Sequence, residues 1–173
     1  MGKHIVVNFD LKTPLTTPNL YCKTLRRTVK EVSDRHNLVF KGIVNRLKPN
    51  EVSTLPTFVI VADKIFEDGQ VNWGRIVAVY AFATHLVKHY EDTNRHKATK
   101  SRTENLTHFQ DKIGSFVGKY VAYKLGQWIL YHGGWDSFVQ YFPEHDEFEK
   151  RMWKGVLFTT IGFVTLATVV GYG

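Results

Sequence analysis

A chain of 173 residues, 43% hydrophobic and 14% aromatic, is long enough for one domain with a real core and too apolar for disorder. Its single cysteine, Cys22, excludes an internal disulfide framework and suits a reducing compartment. The +7 net charge is scattered, with modest clusters at Lys23–Lys30 and Arg95–Arg102. Aromatics fall at helical core spacing rather than between those cations, which argues against a nucleic-acid platform.

The opening, "MGKHIVVNFDLK", has only a short apolar stretch before Asp10, so no signal peptide is expected. Alternating character in "HIVVNF" is the one hint of a strand. From Thr24 onward, apolar or semi-polar residues recur in steps of three and four at Leu25, Val29, Val32, His36, Phe40, Ile43 and Leu47. This is one helical stripe, ended by Lys48-Pro49-Asn50. Ser53 or Thr54 is placed to cap the next helix, with Pro56 tolerated in its first turn. The apolar face of that helix is Val59, Ala62, Ile65 and Phe66, and Gly69 supplies the stop.

Asn72 reads as the N-cap of a third helix, Trp73–Tyr90, whose apolar residues cover more than one face. Such a helix belongs at the centre of a bundle. Glu91–Asn105 is polar and reads as a long loop. A further helix is expected from about Leu106 to Leu130, with Phe109, Ile113, Phe116, Val117, Tyr120, Leu125 and Trp128 inward. Gly133-Gly134 breaks it, a short helix starts at Trp135, and Pro143 stops that one. The fold class expected is all-α.

After Lys150, Arg151 and Lys154, the segment Gly155–Gly173 carries no charge over 19 residues. At 1.5 Å per residue its helical length is roughly 28 Å, near the hydrocarbon thickness of a bilayer. Trp153 suits the headgroup level. The reading is a C-terminal transmembrane tail anchor on an otherwise cytosolic chain; a buried core helix is the alternative.

"NWGR" at Asn72–Arg75 and "HGGWDSFVQYF" at His132–Phe142 resemble the first and second homology motifs of the Bcl-two (B-cell lymphoma) apoptosis regulators. Their order, their separation by one loop and one long helix, and the apolar tail strengthen the match. "FEDGQVNWGRIV" followed by "YAFATHLVKHY" looks closest to the Mcl-type pro-survival branch. The resemblance runs roughly from Thr24 to Phe142. It implies a helical bundle, here residues 24–150, around a central apolar helix, followed by the anchor at 151–173.

The resemblance also implies a surface groove that accepts an amphipathic helix from a partner, a recognition mode for which this family is a standard example. Arg75 then pairs with an Asp of that helix, Asn72 is the neighbouring polar contact, and Gly74 lets the ligand backbone approach. Val32, His36, Ile43, Leu47, Val61, Ile65, Val79 and Phe82 are the implied groove lining. A guanidinium at the rim of an apolar trough suits a carboxylate and sets the register of a bound helix. The alternative for Arg75 is an internal ion pair with Asp68 or Glu67, although a helix N-terminus disfavours an idle cation. Gly133 and Gly134 allow the sharp turn of the second motif, Asp136 enters the first turn of the helix after it, and Trp128 and Trp135 pack the corner.

Two departures matter. The chain's own third motif, "LRRTVKEV" at Leu25–Val32, has Val29 where the family has Gly and Lys30 where it has Asp. Lys30 would repel the Arg of another member's groove, so the chain is expected to receive such a motif rather than offer it. That favours a pro-survival role over the alternative, a pore-forming executioner of the Bax or Bak type. Few residues precede Leu25, so the fourth homology motif and first helix of the family are absent or reduced to a piece near Lys3–Lys12, within a short segment 1–23.

The expected partners are pro-apoptotic relatives presenting amphipathic death-motif helices, Bax- and Bak-type executioners, and lipids of the outer mitochondrial membrane. The endoplasmic reticulum membrane is the second candidate location. His85 and His89 share a helix face at zinc-like spacing but lack the glutamate of a metalloprotease motif, so packing or surface is the default. Asn105-Leu106-Thr107 is a glycosylation sequon, without consequence in the cytosol. No catalytic elbow, phosphate-cradling loop or paired-carboxylate site stands out. Neither enzyme chemistry, metal nor cofactor is expected.

Overall fold

The structure, a computed structural model, describes residues 20–96 and 99–144. The apolar tail, the anchor expected at 151–173 and the stretch "HIVVNF" lie outside the described residues. Within them every regular element is a helix: α1 Leu20–Arg35, α2 Asn37–Leu47, α3 Thr54–Ile65, α4 Trp73–Thr93, α5 Thr99–Tyr131 and α6 Gly134–Tyr141. Among the described residues no helix is long and apolar enough to cross a membrane.

The helix α4 is the axis of the bundle. Every residue from Trp73 to Val87 is buried, because α1, α2, α3 and α5 all pack around it. This is the all-round apolar pattern read from the sequence. Its partners bury narrower stripes. Leu25, Val29 and Val32 of α1 and Phe40, Ile43 and Val44 of α2 face inward, as do Phe109, Ile113, Val117, Val121, Leu125 and Ile129 of α5.

The stripe that reads as one helix from Thr24 to Leu47 is two helices, and the first begins at Leu20. The break at His36 is slight. His36 N–H still donates to Val32 O and Phe40 N–H to His36 O, both at 3.0 Å, so the apolar spacing runs through it. At the far end Lys48 takes a left-handed conformation (φ 44°) and its N–H closes on Val44 O at 2.8 Å. Asn50 then organises the turn into α3, its Oδ1 accepting from Val52 and Ser53 N–H.

The polar stretch after Tyr90 differs from the expected long loop. The central helix continues to Thr93 and α5 starts at Thr99. Glu104, Asn105, Thr107 and His108 are exposed on a helix. That stretch has no Pro or Gly to break it, and a solvated helix with no apolar face looks like a loop to hydrophobic periodicity. Further along, Tyr90 stacks on Phe109 with ring centroids 3.8 Å apart, and Phe58 of α3 meets Tyr120 of α5 at 5.3 Å. These contacts lock α3 and α4 to the long helix.

Candidate functional site

The N-terminus of α4 forms as the sequence implies. Asn72 is extended (φ −151°, ψ 165°) and its Oδ1 accepts from Arg75 N–H at 2.9 Å, satisfying one of the unpaired donors of the first turn. Asn72 is therefore first a cap. Trp73 turns inward and is the meeting point of the two motifs. Its ring lies 5.1 Å from Trp128, 6.1 Å from Trp135 and 5.4 Å from Phe138. Gly133 (φ 85°) and Gly134 (φ 67°) make the corner that delivers Trp135 to this cluster, a left-handed geometry suited to glycine.

Asp136, in the first turn of α6, accepts a hydrogen bond from Tyr21 of α1. Arg27 donates to Phe142 O, and Lys23 pairs with Glu144 at 2.7 Å. The second motif thus holds α1 in place as well as turning the corner. Sequence reading had no signal for Tyr21, because nothing in a tyrosine's own spacing names a partner more than a hundred residues away.

Arg75 is only 5% exposed. Its guanidinium gathers the loop between α3 and α4, donating to Ile65 O at 3.1 Å and Gln70 O at 2.8 Å. It also grips Asp68 with both terminal nitrogens, Nη2 lying 2.7 Å from Oδ2. The half-exposed Asp68 carboxyl is pulled down to about 2, chiefly by the hydrogen bond from Arg75 and then by Gln70 N–H. The internal ion pair with Asp68, the alternative reading of Arg75, is therefore formed: in the unliganded chain Arg75 is not an open cation at a groove rim, because the chain itself supplies a carboxylate. The reason is local. The loop closed by Gly69 (φ 72°) folds Asp68 back over the first turn of α4.

The eight residues expected to line an open trough are placed unevenly. Val32, Ile43, Val61, Ile65, Val79 and Phe82 lie in the closed core, and only His36 and Leu47 are half-buried. The physical cause is that α2 and α3 both rest on α4 with these faces inward. Burial in the half-buried site lowers the His36 pKa, with Arg35 adding to the effect. Gly74 is buried beside Arg75. On α1, Lys30 is exposed and bonded to Asp34 at 2.6 Å, while Leu25 and Val29 pack inward. No group of three or more His, Cys, Asp or Glu among the described residues is arranged to hold a metal.

The fold and site define a class: an α-helical bundle built on a buried helix, with a capped Asn-Trp-Gly-Arg start packed against a Gly-Gly-Trp corner. A family model described as "Apoptosis regulator proteins, Bcl-2 family" matches residues 25–135. The chain belongs to that family, whose members are regulators rather than enzymes. It is 31% identical to bovine Bcl-2-related protein A1 over 135 residues, covering 77% of this chain and 73% of that protein. Rat Bcl-2-like protein 1 is 29% identical over 149 residues, and there the chain spans only 58% of the relative's length. Among solved structures, Trichoplax adhaerens trBcl-2L2 bound to trBak BH3 superposes with a TM-score of 0.57 at 25% identity, over 71% of this chain and 74% of the other. These relatives support the family, and do not single out its Mcl-type branch.

Proposed function

We propose that this protein is a pro-survival regulator that captures an amphipathic death-motif helix of pro-apoptotic relatives between α2 and α3, over the N-terminal half of α4. The observation that carries the reading is the Arg75–Asp68 pair. Arg75 is held in a two-pronged geometry by a carboxylate that is itself half-exposed and so can be exchanged. A ligand helix offering an Asp replaces Asp68, and the buried guanidinium never loses a partner. Gly74 and Asn72 flank this exchange, Gly74 without a side chain to obstruct the ligand.

Opening is required as well, because Val32, Ile43, Val61, Ile65, Val79 and Phe82 are buried. Leu38 of α2, 84% exposed, and Ile60 of α3, 65% exposed, give those two helices apolar outer surface that a ligand can cover. Lys30 supports the receiving role: at the position of the family's motif Asp, this chain presents an exposed cation. The likeness to trBcl-2L2, whose structure contains a trBak BH3 helix, points to Bak-type death motifs as partners. Gly155–Gly173 then serves as the anchor in the outer mitochondrial membrane or the endoplasmic reticulum membrane.

The test is calorimetry with a Bak-type death-motif peptide. Binding that is lost in Arg75→Ala while helicity is kept supports the assignment; unchanged affinity removes it. Dye release from liposomes after treatment with an initiator peptide would instead indicate a pore-forming role.

A further inference from the structure

The outer face of α5 carries apolar surface that the bundle does not use. The helix meets the core through Ile113, Val117, Val121, Leu125 and Ile129. Turned away from that core, Tyr123 is 87% exposed, Leu130 78% and Tyr131 91%. At about 100° per residue, Leu130 returns to within about 20° of Tyr123, and Tyr131 to within about 80°. Lys119 and Lys112, both exposed, fall within about 40° of Tyr123 on the same ridge. A single exposed apolar residue is ordinary on a folded surface. Three within little more than two turns of one helix form a patch.

The patch is also of one sign. No Asp or Glu occurs between Asp111 and Asp136. Asp63 of α3, which reaches α5, accepts from Tyr120 Oη at 2.7 Å and pairs with Lys124 at 3.5 Å. Asp136 of α6 accepts from Tyr21. Lys112 and Lys119 make no ion pair among the described residues. The ridge therefore presents two free cations beside two tyrosines and a leucine.

Size and charge select the occupant. Three side chains of this kind bury about 500 Å², short of the roughly 800 Å² per partner of a stable protein interface. A second copy would add its own lysines to the contact and no acid. An anionic bilayer surface suits both features: tyrosine rings settle at headgroup level, leucine enters the acyl boundary, and lysine stems carry their charge to the headgroups. Ten residues, 145–154, separate Glu144 from the uncharged Gly155–Gly173, and fully extended they reach about 36 Å at most. On the reading of Gly155–Gly173 as an anchor, on which the inference rests, the tether makes this contact intramolecular, so a weak seat is enough.

We propose that the outer face of α5 seats the folded bundle on an anionic phospholipid surface. Tyr123, Leu130 and Tyr131 lie at the boundary of headgroups and acyl chains, and Lys112 and Lys119 on the headgroups. The bundle stays closed in this contact, and no part of α5 crosses the bilayer. The contact uses neither α2 nor α3, so the surface proposed for the death-motif helix is left free.

The experiment places the full 173-residue chain in phosphatidylcholine nanodiscs, with and without phosphatidylserine, doped with a gadolinium-chelating lipid. Paramagnetic relaxation of the backbone amides is read by NMR. Enhancement concentrated on residues 119–131 and stronger with phosphatidylserine is the expected result. The triple variant Tyr123→Ser, Leu130→Ser, Tyr131→Ser should lose it while keeping its helicity and its affinity for a death-motif peptide. Lys112→Gln and Lys119→Gln should each lower the seated population about fivefold. Enhancement spread evenly over the bundle or centred on another helix overturns the seat, as does its survival in the triple variant. Indifference to phosphatidylserine overturns the anionic partner, and a response that needs two chains per disc assigns the face to a second copy instead. Co-elution of chain and disc tests the anchor separately. If the chain does not co-elute, the anchor reading falls, and the α5 response to excess discs decides the seat alone.

Discussion

Arg75 and Asp68 hold each other across the turn into α4, the guanidinium almost wholly buried and the carboxylate half in solvent. The asymmetry matters because a buried charge without a partner is costly, whereas an exposed one is readily rehydrated. The pair is therefore stable when left alone and is exchangeable from the Asp68 side.

Asp68→Asn should show this directly. Removing the internal carboxylate leaves Arg75 buried and short of a partner, so the urea midpoint of the unliganded protein should fall. Affinity for a Bak-type death-motif peptide should rise, since the ligand no longer displaces a competitor. Arg75→Ala should move affinity the other way by about 2–5 kcal/mol. Titration calorimetry on the two variants separates exchange from simple stabilisation of the loop: a fall in affinity in both would sink the exchange.

The pH dependence of the same pair has a definite sign. The folded pKa of Asp68 is depressed to about 2 from 3.8, so its stabilising contribution is complete above about pH 4 and is lost as pH falls through 2. Acid titration followed by circular dichroism should show part of the acid transition between pH 4 and 2. That part should be missing in Asp68→Asn.

His85 predicts a second acid effect, at higher pH. Its folded pKa is lowered to about 4 from 6.5, so between those values the unfolded chain holds more protons than the folded one. Stability should fall as pH is lowered from 6.5 towards 4 and the penalty should level off below it. In His85→Phe, which keeps an aromatic partner for Phe40, urea midpoints at pH 7 and pH 5 should lie closer together than in the parent.

The contact between the two motifs is a test of packing rather than charge. Trp73 is 5% exposed and touches Trp128, Trp135 and Phe138. Trp73→Ala should cost about 3–5 kcal/mol in urea unfolding. A double-mutant cycle with Trp135→Ala should give a coupling of about 0.5–1.5 kcal/mol. Additive losses would mean that the rings touch without contributing to each other.

Much of the bundle was legible in the chain. The central helix is apolar on all sides, and only a position surrounded by other helices satisfies that pattern. The glycine pair of the second motif and the Asn72 cap carried equally local instructions, set by backbone conformation and by a side chain reaching its own next turn. Reading failed where periodicity had nothing to report. A polar helical start to α5 looked like a loop, and a break at His36 that preserves the helical hydrogen bonds on both sides left no mark in the spacing.

Sequence alone therefore determined the helical class, the family and the identity of the unusual cation, since each depends on residue type and near neighbours. Only the tertiary structure decided what that cation touches and which apolar faces are shut. Asp68 and Glu67 are adjacent in sequence and equally charged, and the fold of the Gly69 turn brings Asp68 to Arg75. Likewise, Phe82 and Leu47 carry the same apolar signal, yet one is sealed in the core beside Phe40 of α2 while the other sits at the margin. Hydrophobicity specifies that a side chain prefers to leave water; how completely it does so depends on the helices laid over it.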